Sequence, residues 1–208
     1  MSSPINLPHP IDVNTMDLDP HAEFERWFAH AAAAGVHEPE AVALATADAT
    51  GRPSVRMVLL RGYGADGYVW FTNATSRKGR ELAANPRAAL VAHWAAVGRQ
   101  VRIEGPVAPA SPERSDAYFA QRDRGSQIGA WASHQSDPLS ERQELIGRID
   151  TLTREFGTGP VPRPPHWGGY VLSADRIEFW QHGEHRIHDR VDYRLQADGS
   201  WSRRRLNP

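Results

Sequence analysis

The spacing of apolar residues changes several times along this chain. Residues 1–18 are broken by prolines and show no period, so they are read as a flexible arm ahead of a single domain at 19–208. Asp19-Pro20 has the form of a helix start, with Asp as N-cap and Pro at the first helical position. Phe24, Trp27, Phe28 and Ala31 follow at helical spacing and Gly35 ends the element, so this aromatic stripe is read as core. From Ala41 the period drops to two. Ala41–Ala47 and Ser54–Leu60 flank a turn rich in Gly and Pro and predict a hairpin. Tyr68–Thr72, Ala88–Trp94 and Gln100–Val107 predict three further strands, with a short helix at about Lys78–Ala84. Helical spacing returns at Ser111–Gln121 and at Leu139–Phe156, where Leu145, Ile149, Leu152 and Phe156 share one side. A Gly/Pro linker at 157–165 leads to three strands near Gly169–Leu172, Arg176–Trp180 and His188–Leu195. Short strands joined by tight turns favour an antiparallel barrel over βαβ units, giving a mainly β, α+β fold with flanking helices.

Composition narrows the function classes. With 208 residues, 40% hydrophobic and 24% charged, the chain has the make-up of a globular domain with a real core. A net charge of -1 gives no basic field to recruit nucleic acid. The absence of cysteine removes disulfides, thiolate chemistry and cysteine–zinc sites together. No apolar run reaches membrane-spanning length and no secretory signal opens the chain, so a cytoplasmic protein with no membrane partner is expected.

The candidate chemistry falls into five clusters. In Gln181–Tyr193, an extended backbone would put Arg186, His188 and Arg190 on one face: two fixed cations around a titratable imidazole. Such a row suits an anionic small molecule; a solvated edge strand is the alternative. Arg56–Arg61 is a strand with basic ends. Phe71–Lys78 runs from a strand into a helix start, where hydroxyls, Arg77, Lys78 and free backbone N–H groups meet in the manner of a phosphate site or an ordinary cap. Tyr118 and Arg122, four apart, would share a helix face with Ser126 just beyond its end, as an oxyanion clamp or an exposed Tyr–Arg contact. Gln127–Ser136 mixes amides and hydroxyls around one Trp, too polar for a core helix and too ordered for a linker. Two oxyanion sites with aromatic and amide walls imply a pair of phosphorylated ligands. No Walker-type loop and no Gly-x-Gly-x-x-Gly follow a strand. His185-x-x-His188 has metal-ligand spacing, but Arg186 and Arg190 would repel a cation, so no metal is expected.

Several stretches, in order, resemble the pyridoxamine 5′-phosphate oxidase family: RMVLLR (56–61), FTNATSRKGREL (71–82), RQVRIEG (99–105), YFAQRDRGSQIGAWASHQS (118–136), HWGGY (166–170) and IEFWQHGEHRIHDR (177–190). The resemblance spans residue 20 to the C-terminus. It implies an antiparallel, Greek-key split barrel that forms a homodimer, with FMN in two clefts at the subunit interface. By position, FMN contacts would fall on Arg56, Met57, Val58, Leu59, Leu60, Arg61, Phe71, Thr72, Arg77, Lys78, Gln100, Gln135, Ser136, Trp180 and Arg190. Substrate contacts would fall on Arg61, Tyr118, Arg122 and Ser126, with Arg186 and His188 as the catalytic pair over the ring. The implied reaction is oxidation of pyridoxamine or pyridoxine 5′-phosphate to pyridoxal 5′-phosphate, with O2 reduced to hydrogen peroxide. A flavin oxidase of another flat aromatic, such as a dihydrophenazine, and a non-catalytic flavin or pyridoxal-phosphate carrier are the competing readings. The chain departs from the family at Arg61, where a lysine is usual; a planar, permanently charged guanidinium is not equivalent at a tight site.

Overall fold

The computed structural model describes residues 10–208. Seven strands lie side by side in the order β2 (Pro53–Leu59), β1 (Ala41–Ala47), β4 (Arg87–Trp94), β5 (Arg99–Pro109), β7 (Arg176–Gln181), β8 (Asp189–Leu195) and β9 (Trp201–Arg205). β3 (Tyr68–Asn73) pairs with β6 (Trp167–Leu172) off this path, and all these pairings are antiparallel. β5 joins the two layers: Arg99–Glu104 pairs with β7, and Val107–Pro109 pairs with β6. Gly105 occupies the corner between them, where an added Cβ would lie 2.0 Å from the Ser173 carbonyl oxygen. Only glycine lets the two chains approach this closely. The barrel stays open, with β2 and β9 as its edges.

Local chemistry explains most element boundaries. The β1–β2 turn closes because the Asp48 carboxylate accepts from the Thr50 and Arg52 backbone N–H groups at 2.9 and 3.1 Å, while Gly51 takes φ +84°. α1 (Pro20–Ala33) is capped by Asp19, which accepts from His21 N. It buries Phe24, Trp27 and Ala31 against a core that includes Leu44, Trp70, Leu90, Ile103, Phe179 and Tyr193. Each fully buried large side chain contributes about 1.5–3 kcal/mol. A second cluster of Phe119, Ile128, Val161 and Trp167 forms beneath α3 (Pro112–Gln121), α4 (Arg124–Ala132) and α5 (Arg142–Phe156). Ile149, Leu152 and Phe156, on the stripe read from the sequence, pack against it.

Three elements differ from the sequence reading. α4 falls within the stretch that showed no clear element: two glycines and three polar residues in RGSQIGAWA hide its period, and Asp123 caps it by accepting from Ser126 N at 2.8 Å. β9 makes a fourth C-terminal strand where three were predicted; WSRRR has no apolar alternation and pairs because β8 offers it an edge. Residues 10–18, part of the segment read as an arm, pack along β8 and β9. Ile11 and Met16 are buried, Ile11 N donates to Asp189 Oδ2 at 3.0 Å, and the Tyr193 hydroxyl donates to Asp17 O at 2.8 Å. The arm's first nine residues lie outside the described ones. Among the described residues no helix is long and apolar enough to cross a membrane.

Candidate active site

β2, β3, α2 (Arg77–Ala84) and the α3–α4 junction enclose a cleft of about 870 Å³. Its walls include Arg56, Met57, Val58, Leu59 and Arg61 from the β2 side, and Phe71 and Thr72 from β3. Lys78, Tyr118, Arg122, Ser126 and Gln135 complete the predicted residues found there.

The first polar centre is Lys78. Ser76 caps α2, and Gly79 permits a tight entry, since a Cβ there would lie 2.0 Å from the Ala74 carbonyl oxygen. The Lys78 ammonium therefore turns back along β3, donating to Gln135 Oε1 at 2.7 Å, Thr72 Oγ1 at 3.1 Å and Ser76 Oγ at 3.3 Å. All three acceptors are neutral. Burial, then the nearby Arg56 guanidinium, lowers its pKa to about 8. Glu81, one turn along α2, takes up the neighbouring cations. It accepts from Arg77 Nε at 2.8 Å and Ser54 Oγ at 2.6 Å, lies 3.3 Å from Arg56 Nη2, and also binds Thr46. Burial alone would raise the Glu81 carboxyl, but the Ser54, Thr46 and Arg77 hydrogen bonds and the Arg56 charge pull it down to about 2. Arg77 is thereby turned away from the cleft lining, whereas Arg56 remains in it.

The second centre is Arg122. It caps the end of α3, and α4 starts two residues later. Ser126 therefore sits in the first turn of a new helix, not just past the old one, and the predicted clamp straddles a helix junction. The Arg122 guanidinium lies 4.9 Å over the Trp167 ring, with Nη1 buried and without a hydrogen-bond partner. Burial lowers its pKa from the ordinary arginine value. Tyr118, Phe71 and Trp167 stand nearly parallel beside it, with Phe71 4.1 Å from Tyr118 and 5.5 Å from Trp167 between ring centroids. Among the described residues neither Lys78 nor Arg122 has a carboxylate at salt-bridge distance. An orphaned buried guanidinium donor and an ammonium with only neutral partners are what two phosphate-bearing ligands require. FMN fits this donor set.

Arg61 also lines the cleft, with Nη1 3.6 Å from Glu40 Oε1. Leu60 points into the main core instead, and Ser136, at φ +76°, lies one residue beyond the cleft wall. Trp167, Asn73, Gln121, Asp123 and Ser133 line the cleft but were not singled out. The HWGGY stretch is a signal for Trp167 and adjacency to Arg122 one for Gln121 and Asp123, while Asn73 and Ser133 lie inside the Phe71–Lys78 and Gln127–Ser136 clusters.

A third group stands apart from this cleft. Gln100, Trp180 and Arg190 face one another across β5, β7 and β8. Arg190 donates to Glu178 through Nε at 2.9 Å and Nη2 at 3.2 Å. The His188 ring lies 4.7 Å from Trp180 and its Nδ1 accepts from Gly183 N at 3.2 Å, which leaves Nε2 to carry the proton of the neutral ring. The expected row of Arg186, His188 and Arg190 on one strand is not formed. Glu184–Arg186 is a 3₁₀ turn, His185 and Arg186 have φ of +52° and +64°, and β8 begins only at Asp189. Left-handed backbone breaks the alternation on which the row depended. Gln100, Trp180, Arg186, His188 and Arg190 do not line their own chain's cleft.

An unclosed antiparallel barrel flanked by helices has the layout of the FMN-binding split barrels. The structure of a pyridoxamine 5′-phosphate oxidase-related, FMN binding protein from Nostoc punctiforme shares the fold at a TM-score of 0.74, with 19% identity and coverage of 93% of this chain and 100% of that one. Residues 28–154 match the family described as pyridoxamine 5′-phosphate oxidase, and residues 167–208 match the pyridoxine 5′-phosphate oxidase C-terminal dimerisation region. The pyridoxine/pyridoxamine 5′-phosphate oxidase of Rubrobacter xylanophilus is 54% identical, over 92% of this chain and 88% of its own. That of Cupriavidus necator is 52% identical, over 91% and 89%. PhzG from Burkholderia lata, solved with tetrahydrophenazine-1-carboxylic acid, is 33% identical at a TM-score of 0.88, covering 94% of this chain and 95% of that one. The chain belongs to the pyridoxamine 5′-phosphate oxidase family.

Proposed function

We propose that this protein is a cytoplasmic, homodimeric, FMN-dependent oxidase that converts pyridoxamine and pyridoxine 5′-phosphate to pyridoxal 5′-phosphate. The observation that carries the reading is the pair of cations in one cleft, Lys78 and Arg122, that no carboxylate among the described residues pairs at salt-bridge distance. Lys78, with Thr72 and the start of α2, holds the FMN phosphate, and Arg56 adds charge from β2. The strand Met57–Arg61, with Phe71, Gln135 and Ser136, borders the flavin. Arg122, Tyr118 and Ser126 hold the substrate phosphate, and Arg61 reaches it from the other wall. Each charged hydrogen bond contributes about 1.5–3 kcal/mol.

The remaining residues come from a second copy. Gln100, Trp180, Arg186, His188 and Arg190 form a group that its own cleft does not use, so each cleft is completed by the other subunit. Two observations support this. The edge strand β2 exposes an apolar row of Val55, Met57 and Leu59 beside the cleft, a surface suited to being covered. The part of the chain bearing Trp180 to Arg190 falls in the matched dimerisation region. Arg186 and His188 then orient the substrate and polarise its reacting end, Arg186 by fixed charge and His188 through Nε2. The chemistry supplied by bound FMN is removal of a hydride from the substrate's 4′ carbon, with O2 as final acceptor and hydrogen peroxide as product. The aromatic stack of Phe71, Tyr118 and Trp167 packs beside this clamp.

The test is anaerobic mixing of the yellow protein with pyridoxamine 5′-phosphate, pyridoxine 5′-phosphate and a dihydrophenazine carboxylic acid. Bleaching by the two phosphates, with colour returning in air, is expected. Bleaching by the phenazine alone would transfer the assignment to that substrate class, and no bleaching at all would leave a carrier.

A further inference from the structure

The chain has 24 cationic Lys and Arg side chains, and all but one are arginine: Lys78 is the only lysine. Its single side-chain amine is therefore not a surface group but a residue 8% exposed on the cleft wall. The difference matters chemically, because a guanidinium stays protonated whereas a lysine amine that loses its proton condenses with carbonyl compounds. Among the described residues no carboxylate lies at salt-bridge distance from Lys78 Nζ; its three hydrogen-bond partners are the neutral oxygens of Gln135, Thr72 and Ser76, and the more distant Glu81 charge only partly offsets burial. With its pKa at about 8, roughly a quarter of the side chain is free amine at pH 7.5, against about a thousandth for an ordinary lysine. The same cleft holds Arg56, Arg61 and the unpartnered Nη1 of Arg122, which suit the phosphate of an incoming molecule.

We propose that, in chains lacking FMN, Lys78 covalently captures the phosphorylated aromatic aldehyde that the enzyme itself makes, so that product and cofactor compete for one seat. The inference rests on the oxidase reading for the identity of that aldehyde. In the step, the Nζ lone pair forms a C–N bond to the aldehyde carbon. The carbonyl oxygen collects two protons and leaves as water, giving an imine. Nothing is oxidised or reduced, and hydrolysis reverses the step. FMN blocks it by occupying Lys78, and the arginine-only remainder of the chain offers the product no other side-chain amine.

The experiment uses the full chain, stripped of FMN or saturated with it, mixed with one equivalent of pyridoxal 5′-phosphate at pH 7.5. Borohydride reduction fixes any imine, and peptide mass mapping locates it. The expected result is label on Lys78 in the stripped chain, reduced about tenfold or more by saturating FMN. Pyridoxal without phosphate should label it about tenfold less or weaker still, having lost the charged contacts. Lys78→Arg should retain label only on the N-terminal amine. Absence of label, label confined to the N-terminus, or Lys78 label indifferent to FMN would each overturn the capture site. Turnover of pyridoxamine 5′-phosphate by the loaded chain is measured alongside. Labelling without turnover overturns the oxidase reading, and turnover without labelling overturns the capture.

Discussion

Cations gather both in the cleft and on the sheet face of β5, β7, β8 and β9, but they meet opposite company in the two places. On the sheet, Asp192 is fully buried and binds Arg176 Nε at 2.6 Å and Arg194 Nε at 2.9 Å, with Arg204 Nε at 3.4 Å. Burial alone would raise the Asp192 carboxyl; hydrogen bonds from Arg176 and Arg194 more than offset this and hold it below the ordinary range. Glu178, 2% exposed, ties Arg190 and Arg102 in the same manner at 2.9 and 3.3 Å. In the cleft, Lys78 is buried and Arg122 half-buried, with its Nη1 enclosed, against neutral oxygens and an aromatic ring. Burying a charge is costly unless it is paired. The sheet meets that cost within the chain and gains cohesion. The cleft leaves it standing, as the proposed ligand phosphates would require. Charge compensation, not charge count, separates the sheet from the cleft.

Breaking a matched cluster should have the largest effect. Asp192→Ala leaves three guanidinium groups around a vacated site and is expected to lower unfolding free energy by about 3 kcal/mol in urea titration. That is the low end for a buried pair, because Arg194 and Arg204 are half exposed and screened. Unchanged stability would break the comparison on its scaffold side. Lys78→Met should do the reverse: FMN affinity falls roughly 10–100-fold by fluorescence titration, while the flavin-free chain keeps or gains stability. A loss of several kcal/mol there would make Lys78 scaffold after all. Arg122→Ala is expected to raise KM for pyridoxine 5′-phosphate on the order of 10–100-fold with FMN retained. The smallest expected effect concerns pH. The Lys78 charge is present below its pKa of about 8 and lost above it, whereas the flavin phosphate stays dianionic from about pH 7 upward. FMN affinity should therefore fall about tenfold between pH 7 and pH 9. A profile flat across that window would place the cofactor's phosphate away from Lys78.

Much of the framework could be read along the chain. The Asp19-Pro20 cap, the hairpin around Asp48–Arg52 and the apolar side of α5 are local signals, and they appear where expected. α4 and β9 could not be read this way, because glycine and arginine mask any period and neighbouring elements impose the structure. Site residues followed the same division. Lys78, Arg122, Tyr118 and Ser126 do share one cleft, but they reach it across a helix junction rather than along a single helix face. The Arg186, His188, Arg190 row failed because alternation presumes an extended backbone, which His185 and Arg186 do not have.

Residue order alone settled the helix caps, the hairpin turns and the family membership carried by its motifs, and it nominated the side chains for a phosphate. Tertiary structure decided which of those cations were available. Glu81 reaches Arg56 across 25 positions and Glu178 reaches Arg102 across 76, so their pairing depends on sheet register and helix placement rather than on neighbours in the chain. Electrostatic energy depends on distance in space. Only the folded chain fixes those distances, and among the described residues it leaves Lys78 and Arg122 as cleft cations with no carboxylate at salt-bridge distance.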